Sequence, residues 1–373
     1  MAPYIDTVTS ENAYKQVRPQ SRLLGLSRLD IHASSSWGRD HLLACHIVCD
    51  KTRGQLLPLY SQLKNGRFFN SDEGVSAKDQ QELTNFVQGP QPDVRDQLEH
   101  SLVRTLGASL GQVWAAMNDV MVQGRQEAAK DTTPDRPRRH ISRQSYAPPQ
   151  SSSPASQDPR SSHPPSSPFS VSSEWAESQP VRDLPAEDYT VRLVTSVIRH
   201  ILNYSQHQDS DMVLEVRQRE RLRLDLPKLD KHIVSIDDGG LRRRIYGRDR
   251  SSPENNFIAL LEAKKRLNVS NDGKRFISDE CLAQMVCEAM VAKANHESAF
   301  RDDKVVVIHA VQHFVCFLEF HITRECIAEI MDGEIPFNPL KVTATAWFNL
   351  SEARGRQGVY DNIRGLVASA RCG

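Results

Sequence analysis

No stretch of this 373-residue chain contains the roughly 18–20 consecutive apolar residues that a membrane-crossing helix requires, so no membrane partner is expected. The opening MAPYIDTVTS shows neither the basic n-region nor the apolar h-region of a secretory leader. That predicts an intracellular protein, nuclear or cytoplasmic and not secreted. An excess of charge of one sign is missing too: Lys+Arg and Asp+Glu both number 47, so the whole-chain balance selects no partner. Cysteines are few and odd in number, seven in all, which argues for reduced thiols rather than a disulfide framework. Zinc is not expected either. HLLACHIVCD places Cys45 and Cys49 beside His41 and His46, but the spacing is CxxxC and no second pair lies at a fitting distance.

What is present divides the chain into three parts. Residues 131–184 are dominated by Ser, Pro and charge, too poor in apolar residues to offset the entropy of folding, and predict a disordered linker. Its RPRRH, Arg136–His140, is a weak nuclear-import pattern. Residues 1–130 read as a largely helical region, with short strands at 28–32 and 41–48. Leu98, Leu102, Leu106, Leu110, Val113, Met117 and Val120 recur at steps of three and four, a helical stripe over 93–125 that would pack or dock a protein partner. Gly107 and Gly111 lie inside it and lower its helicity by roughly 1 kcal/mol each.

Residues 185–373 alternate between helical and strand patterns. A helix opens at Pro185-Ala-Glu-Asp, strand-like runs follow at 212–226 and 231–247, and Ser278 caps a second helix with Asp279 and Glu280 in its first turn. KVVVIHAVQHFVCFLEFHIT (304–323) reads as two strands turning near Gln312-His313, and KVTATAWFNL (341–350) as another, before a terminal helix. The order predicts an α/β domain. Charge is uneven within it: Arg217–Arg275 carries 16 Lys/Arg against 9 Asp/Glu, and the remainder 9 against 13. A basic segment beside an acidic one suits an anionic ligand met on one face.

The stretch NNFIALLEAKKRLNVS, 255–270, is ambiguous. Propensity alone makes it a helix, on which Glu262 and Lys264 diverge. On a central strand, Leu260, Glu262 and Lys264 share one face, and carboxylate and ammonium project side by side. A carboxylate from the preceding turn, Asp237-Asp238-Gly239-Gly240, would complete a site for a hard cation.

The acidic turn, the apolar run ending Glu262-Ala263-Lys264 and the following helix CLAQMVCEAMVAK together resemble the PD-(D/E)XK (restriction-endonuclease-like) superfamily, in particular a group of fungal nuclease-like proteins. The resemblance covers roughly 185–350. It implies an α/β core, a central mixed sheet flanked by helices, acting on phosphodiester bonds of DNA or RNA with Mg²⁺ or Mn²⁺. By that pattern Asp238 or Asp237 and Glu262 would ligate the metal, Lys264 would be the catalytic lysine, and Gln284 the helix-borne glutamine of RecB-like members. Two positions depart from it: Ile236 stands where a proline precedes the aspartate, and Glu288 where a tyrosine follows the glutamine. Those departures also suit a catalytically inactive nuclease-fold module that binds nucleic acid or protein. Arg221, Arg223, Arg242, Arg243 and Arg244 are candidates for phosphate contact. His309 and His313, four strand residues or roughly 13 Å apart, are expected to be structural.

Overall fold

The runs FIALLEAK, KVVVIHAV and FVCFLEFH are apolar at both parities, as strands covered on both faces must be. They form the centre of one mixed sheet in a computed structural model that describes residues 2–17, 25–51, 53–60, 75–90, 94–131, 186–207, 210–245, 257–270 and 272–371. The strands are β1 (Ile47–Cys49), β2 (Met212–Arg217), β3 (Arg221–Leu226), β4 (Lys231–Ile236), β5 (Gly240–Ile245) and β6 (Phe257–Lys264). They continue with β7 (Asn268–Val269), β8 (Arg275–Phe276), β9 (Lys304–Val311), β10 (Phe314–His321), β11 (Leu340–Ala344) and β12 (Phe348–Asn349). The large sheet runs β1-β11-β10-β9-β6-β5-β2, with β12 on β10. The β6–β9 and β1–β11 pairs are parallel; β3–β4 and β7–β8 are separate hairpins.

Ten helices accompany them: α1 (Tyr4–Thr7), α2 (Glu11–Val17), α3 (Arg39–Ala44), α4 (Ala77–Gln88), α5 (Glu99–Leu106), α6 (Ala108–Asp131), α7 (Ala186–Ser205), α8 (Asp279–Asn295), α9 (Arg324–Met331) and α10 (Ala353–Arg371), counted among the described residues. Ser278 starts α8 as expected, its side chain accepting the Cys281 N–H at 3.2 Å. Leu282, Met285 and Val286 of α8 pack with Leu260, Val307 and Leu318 on one face of the sheet. On the other, Leu261, Ile308 and Phe317 meet Val197 and Ile201 of α7, Val113 and Met117 of α6 and Ile363 of α10. The expected architecture of a mixed sheet flanked by helices is what forms.

Three expectations for the N-terminal region need correcting. Residues 1–125 are not a separate domain: they belong with 184–373 to one compact unit, and β1 is the parallel edge strand on β11. Of the two short strands, 28–32 forms none, because Leu26–Arg28 closes a 3-10 turn and Asp30 accepts the His32 N–H. His41 Nδ1 accepts the Gly38 N–H, which starts α3 and leaves only 47–49 for a strand. The 93–125 stripe is two helices rather than one. Gly107 lies at φ +82°, a conformation that ends α5 and that non-glycine residues avoid. Leu102, Leu110, Val113, Met117 and Val120 are buried inside the unit, so those residues offer no docking face to a partner. The other unit is Gln126–Asp183; beyond Asp131, the expected linker at 131–184 lies outside the described residues. No helix among the described residues is long and apolar enough to cross a membrane.

Candidate active site

FIALLEAK is a strand, and its alternation sorts the disputed side chains. Leu261 faces the α7 and α10 side, while Leu260 faces α8. Glu262 and Lys264, at the parity of Leu260, follow it to the α8 face. Lys264 Nζ stands 2.5 Å from Glu262 Oε1. Burial pushes the Glu262 carboxyl up to about 7, against the pull of Lys264 and with a further push from Asp238. Lys264 is raised too: burial lowers it, but Glu262 outweighs that and holds the ammonium above its ordinary range.

The turn before β5 gives its two aspartates different surroundings. Asp237 is tied down by a two-pronged bond from Arg217, at 2.9 and 2.5 Å, and by the N–H groups of Glu220 and Gly239. Arg217 and Asp237 are both almost wholly buried, so Asp237 is a structural anchor. Asp238 points the other way. Its Oδ2 accepts the Ala263 N–H at 3.0 Å, and its Oδ1 takes Arg219 at 2.5 Å. The two glycines that follow make this approach possible: a Cβ on Gly240 would lie 2.1 Å from the Ala259 carbonyl oxygen.

Gln284 of α8 reaches the same cluster. Its Nε2 donates to Glu262 Oε1 at 2.7 Å and to Glu288 Oε1 at 2.8 Å. Glu288, in the place of the expected tyrosine, is buried with Oε2 unpartnered. Burial, followed by the Glu262 charge, drives it well above the usual carboxylate range. Sequence reasoning missed its contact with Gln284, and it also missed Glu187. Glu187 sits in the first turn of α7 and lines a cleft of about 330 Å³ with Lys264, Lys265, Arg266, Gln284 and His309. Burial and then Asp238 raise its carboxyl. The signal for it was present in Pro185-Ala-Glu-Asp, where an acidic first turn reads as dipole compensation.

The arginines are not drawn to this cleft. Arg242 and Arg244 both pair with Glu215 across β2–β5, Arg243 has the opposite parity, and Arg223 pairs with Asp225 on the outlying hairpin beside exposed Arg221. His309 is structural, as expected. Buried and lowered to about 4 by burial, it donates from Nδ1 to the Glu262 carbonyl at 3.1 Å.

Compared with known proteins, the sequence matches no family model and no curated protein.

Among the described residues no three His, Cys, Asp or Glu side chains gather as a ready-made metal cage. The donors present are nonetheless of the right kind for Mg²⁺ or Mn²⁺. They are hard carboxylate oxygens, and Mg²⁺ is commonly held by one or two carboxylates with water and substrate completing its shell. Burial, and after it the neighbouring carboxyls, raises Glu187, Glu262 and Glu288, with Lys264 pulling the other way.

Proposed function

We propose that the protein is a metal-dependent nuclease of PD-(D/E)XK type, hydrolysing phosphodiester bonds in DNA or RNA. The observation that carries this reading is the placement of Glu262 and Lys264 side by side at the end of a central strand, with Asp238 bonded to the peptide between them. The chain order supports it: helix α7, a meander of β2, β5 and β6, helix α8, then β9 parallel to β6. Asp238 and Glu262 would hold the cation, with Glu187 beside them. A bound divalent ion supplies a water of lowered pKa and offsets charge on the phosphoryl oxygens. Lys264 keeps its proton and can donate to a phosphate oxygen or orient the attacking water. Gln284 fixes the Glu262 carboxylate, and the cleft beside Lys264 admits the scissile phosphate.

The test is incubation of the purified protein with single- and double-stranded DNA and RNA, with Mg²⁺, with Mn²⁺ and with EDTA. Cation-dependent cleavage that falls by about a hundredfold or more in Glu262→Gln and in Lys264→Met is expected. Cleavage unchanged in both variants would remove the assignment.

One observation favours the alternative, an inactive nuclease-fold module. Lys264 and Arg219 already neutralise Glu262 and Asp238 from within the chain. Salt-sensitive binding without cleavage under every cation condition is the outcome that reading requires.

A further inference from the structure

The segment that leaves β6 carries Lys264, Lys265, Arg266, Lys274 and Arg275 against a single carboxylate, Asp272. It folds into the β7–β8 hairpin, Asn268 opposite Phe276 and Val269 opposite Arg275, with Gly273 at φ +78° near its tip. The hairpin adjoins the candidate site directly: Lys265, Arg266, Asn268 and Phe276 line the cleft that Lys264 and Gln284 also line. Its cations face water. Lys265, Arg266, Lys274 and Arg275 are exposed, and the Lys274 side chain is 82% accessible. Arg275 is propped in place with its guanidinium 4.0 Å over the Phe314 ring. Val269, 52% exposed, gives the same surface an apolar spot.

On the hairpin Lys274 pairs with Asp272 at 3.2 Å, and arginines elsewhere in the basic segment are paired as well. Arg217, Arg219, Arg223, Arg242 and Arg244 each meet a carboxylate, on Asp237, Asp238, Asp225 or Glu215. Position separates the two sets: Lys265 and Arg266 of the hairpin segment line the cleft, and the β5 arginines are not among its lining residues. The hairpin cations also offset the acidic cluster behind them, which by itself repels a polyanion.

We infer that the β7–β8 hairpin is the surface along which a nucleic-acid strand enters the cleft, its phosphates held by Lys265, Arg266 and Lys274 rather than by the arginines of β3 and β5. This rests on the nuclease reading for the identity of the polyanion.

The test measures binding apart from cutting. Fluorescence anisotropy of labelled oligonucleotides of DNA and RNA, single- and double-stranded, is recorded in EDTA over roughly 50–200 mM salt. Wild type is compared with Lys265→Glu/Arg266→Glu/Lys274→Glu and with Arg221→Glu/Arg223→Glu; all five substituted side chains are exposed. The triple variant is expected to bind about tenfold or more weaker and to flatten the slope of log K against log salt by about 2, the share of three lost phosphate contacts. The double variant should stay within about threefold of wild type. A triple variant that binds like wild type, a larger loss in the double variant, or no binding of any oligonucleotide by wild type overturns the inference. Cleavage by wild type in Mg²⁺ is scored separately. A protein that cuts but binds independently of the hairpin sinks this inference alone. One that binds through the hairpin and never cuts sinks the nuclease reading alone.

Discussion

Asp238 Oδ2 accepts the Ala263 N–H at 3.0 Å, which fixes a carboxylate of the turn to the peptide between Glu262 and Lys264. The backbone repeats the tie: the Asp238 N–H donates to the Leu261 carbonyl, and the Leu261 N–H to that of Gly239. Two consecutive aspartates thereby acquire different work, one held against Arg217 and the other against the strand that bears the site.

Replacing them should separate those roles. Asp237→Ala leaves the Arg217 guanidinium buried without its partner and should cost about 3–5 kcal/mol of stability. Asp238→Asn keeps an acceptor for the Ala263 N–H and faces the mostly exposed Arg219, so its stability should change by less than about 1 kcal/mol, while any cation-dependent cleavage is lost. Thermal melts beside cleavage assays check both. Equal destabilisation by the two variants would contradict the division.

Titration of Glu262 makes a second prediction. Its carboxyl lies at about 7 in the fold against an ordinary value of 4.5. Between those values the folded state holds the extra proton, so the contribution of Glu262 to stability falls as pH rises through that window and levels off above it. Buried His309 and His200 and half-buried His313, all lowered to about 4, act in the opposite sense. They add stability as pH rises from about 4 to about 6.5. The clean readout is therefore a difference. In EDTA, the stability of Glu262→Gln minus wild type should grow from about pH 5 to 7, by on the order of 3 kcal/mol, and be flat beyond. A difference independent of pH would mean that Glu262 is ionised throughout.

The extent to which the site was legible follows from which residues act locally. β9, β10 and α8 are long, doubly buried or well capped, so composition and the Ser278 cap announce them. The Glu-Ala-Lys tripeptide was ambiguous by propensity, and its strand assignment came from the acidic turn before it and the glutamine-bearing helix after it, through the resemblance they carry. β1 was not legible as part of the main sheet. It has three residues, and its partner β11 lies at the far end of the chain, so no local pattern records the pairing. The pairing of Arg242 and Arg244 with Glu215 was hidden for the same reason. Glu215 faces Arg242 only once β2 and β5 are in register. Glu187 looked like helix-start decoration because its convergence on Asp238 is tertiary.

The Gln284 amide donates one N–H to each of two carboxyl groups, and burial favours the neutral form of Glu288. A buried charge beside Glu262 would carry a large penalty, and burial does hold Glu288 well above the usual range. Glu288→Gln should then keep the acceptor for Gln284 and remain within about 1 kcal/mol of wild type at neutral pH. Glu288→Ala should lose about 2–3 kcal/mol to the cavity and the broken bond. Denaturant melts at neutral pH distinguish the two. A gain of several kcal/mol in Glu288→Gln would show that the native carboxyl is charged there.

The N-terminal residues supply walls that residues 185–373 lack. Tyr4, Tyr14, Trp37, Leu42 and Leu43, none more than 2% exposed, share the core on which α8 lies. The Tyr4 N–H donates to Asp279 Oδ1 at 2.6 Å in the first turn of α8, and its hydroxyl donates to the Ile47 carbonyl at 2.8 Å. On the opposite face, Leu102, Val113, Trp114 and Met117 pack in the core of α7 and α10. At about 1.5–3 kcal/mol for each large apolar side chain, removing this layer outweighs a domain stability of about 5–15 kcal/mol. A fragment of residues 185–373 expressed alone should therefore give no cooperative melt by circular dichroism and no cleavage. Co-expression with residues 1–131 should restore both through reassembly of the β1–β11 edge and the α8 wall. A fragment that folds and cuts unaided would show that the N-terminal layer is dispensable to the site.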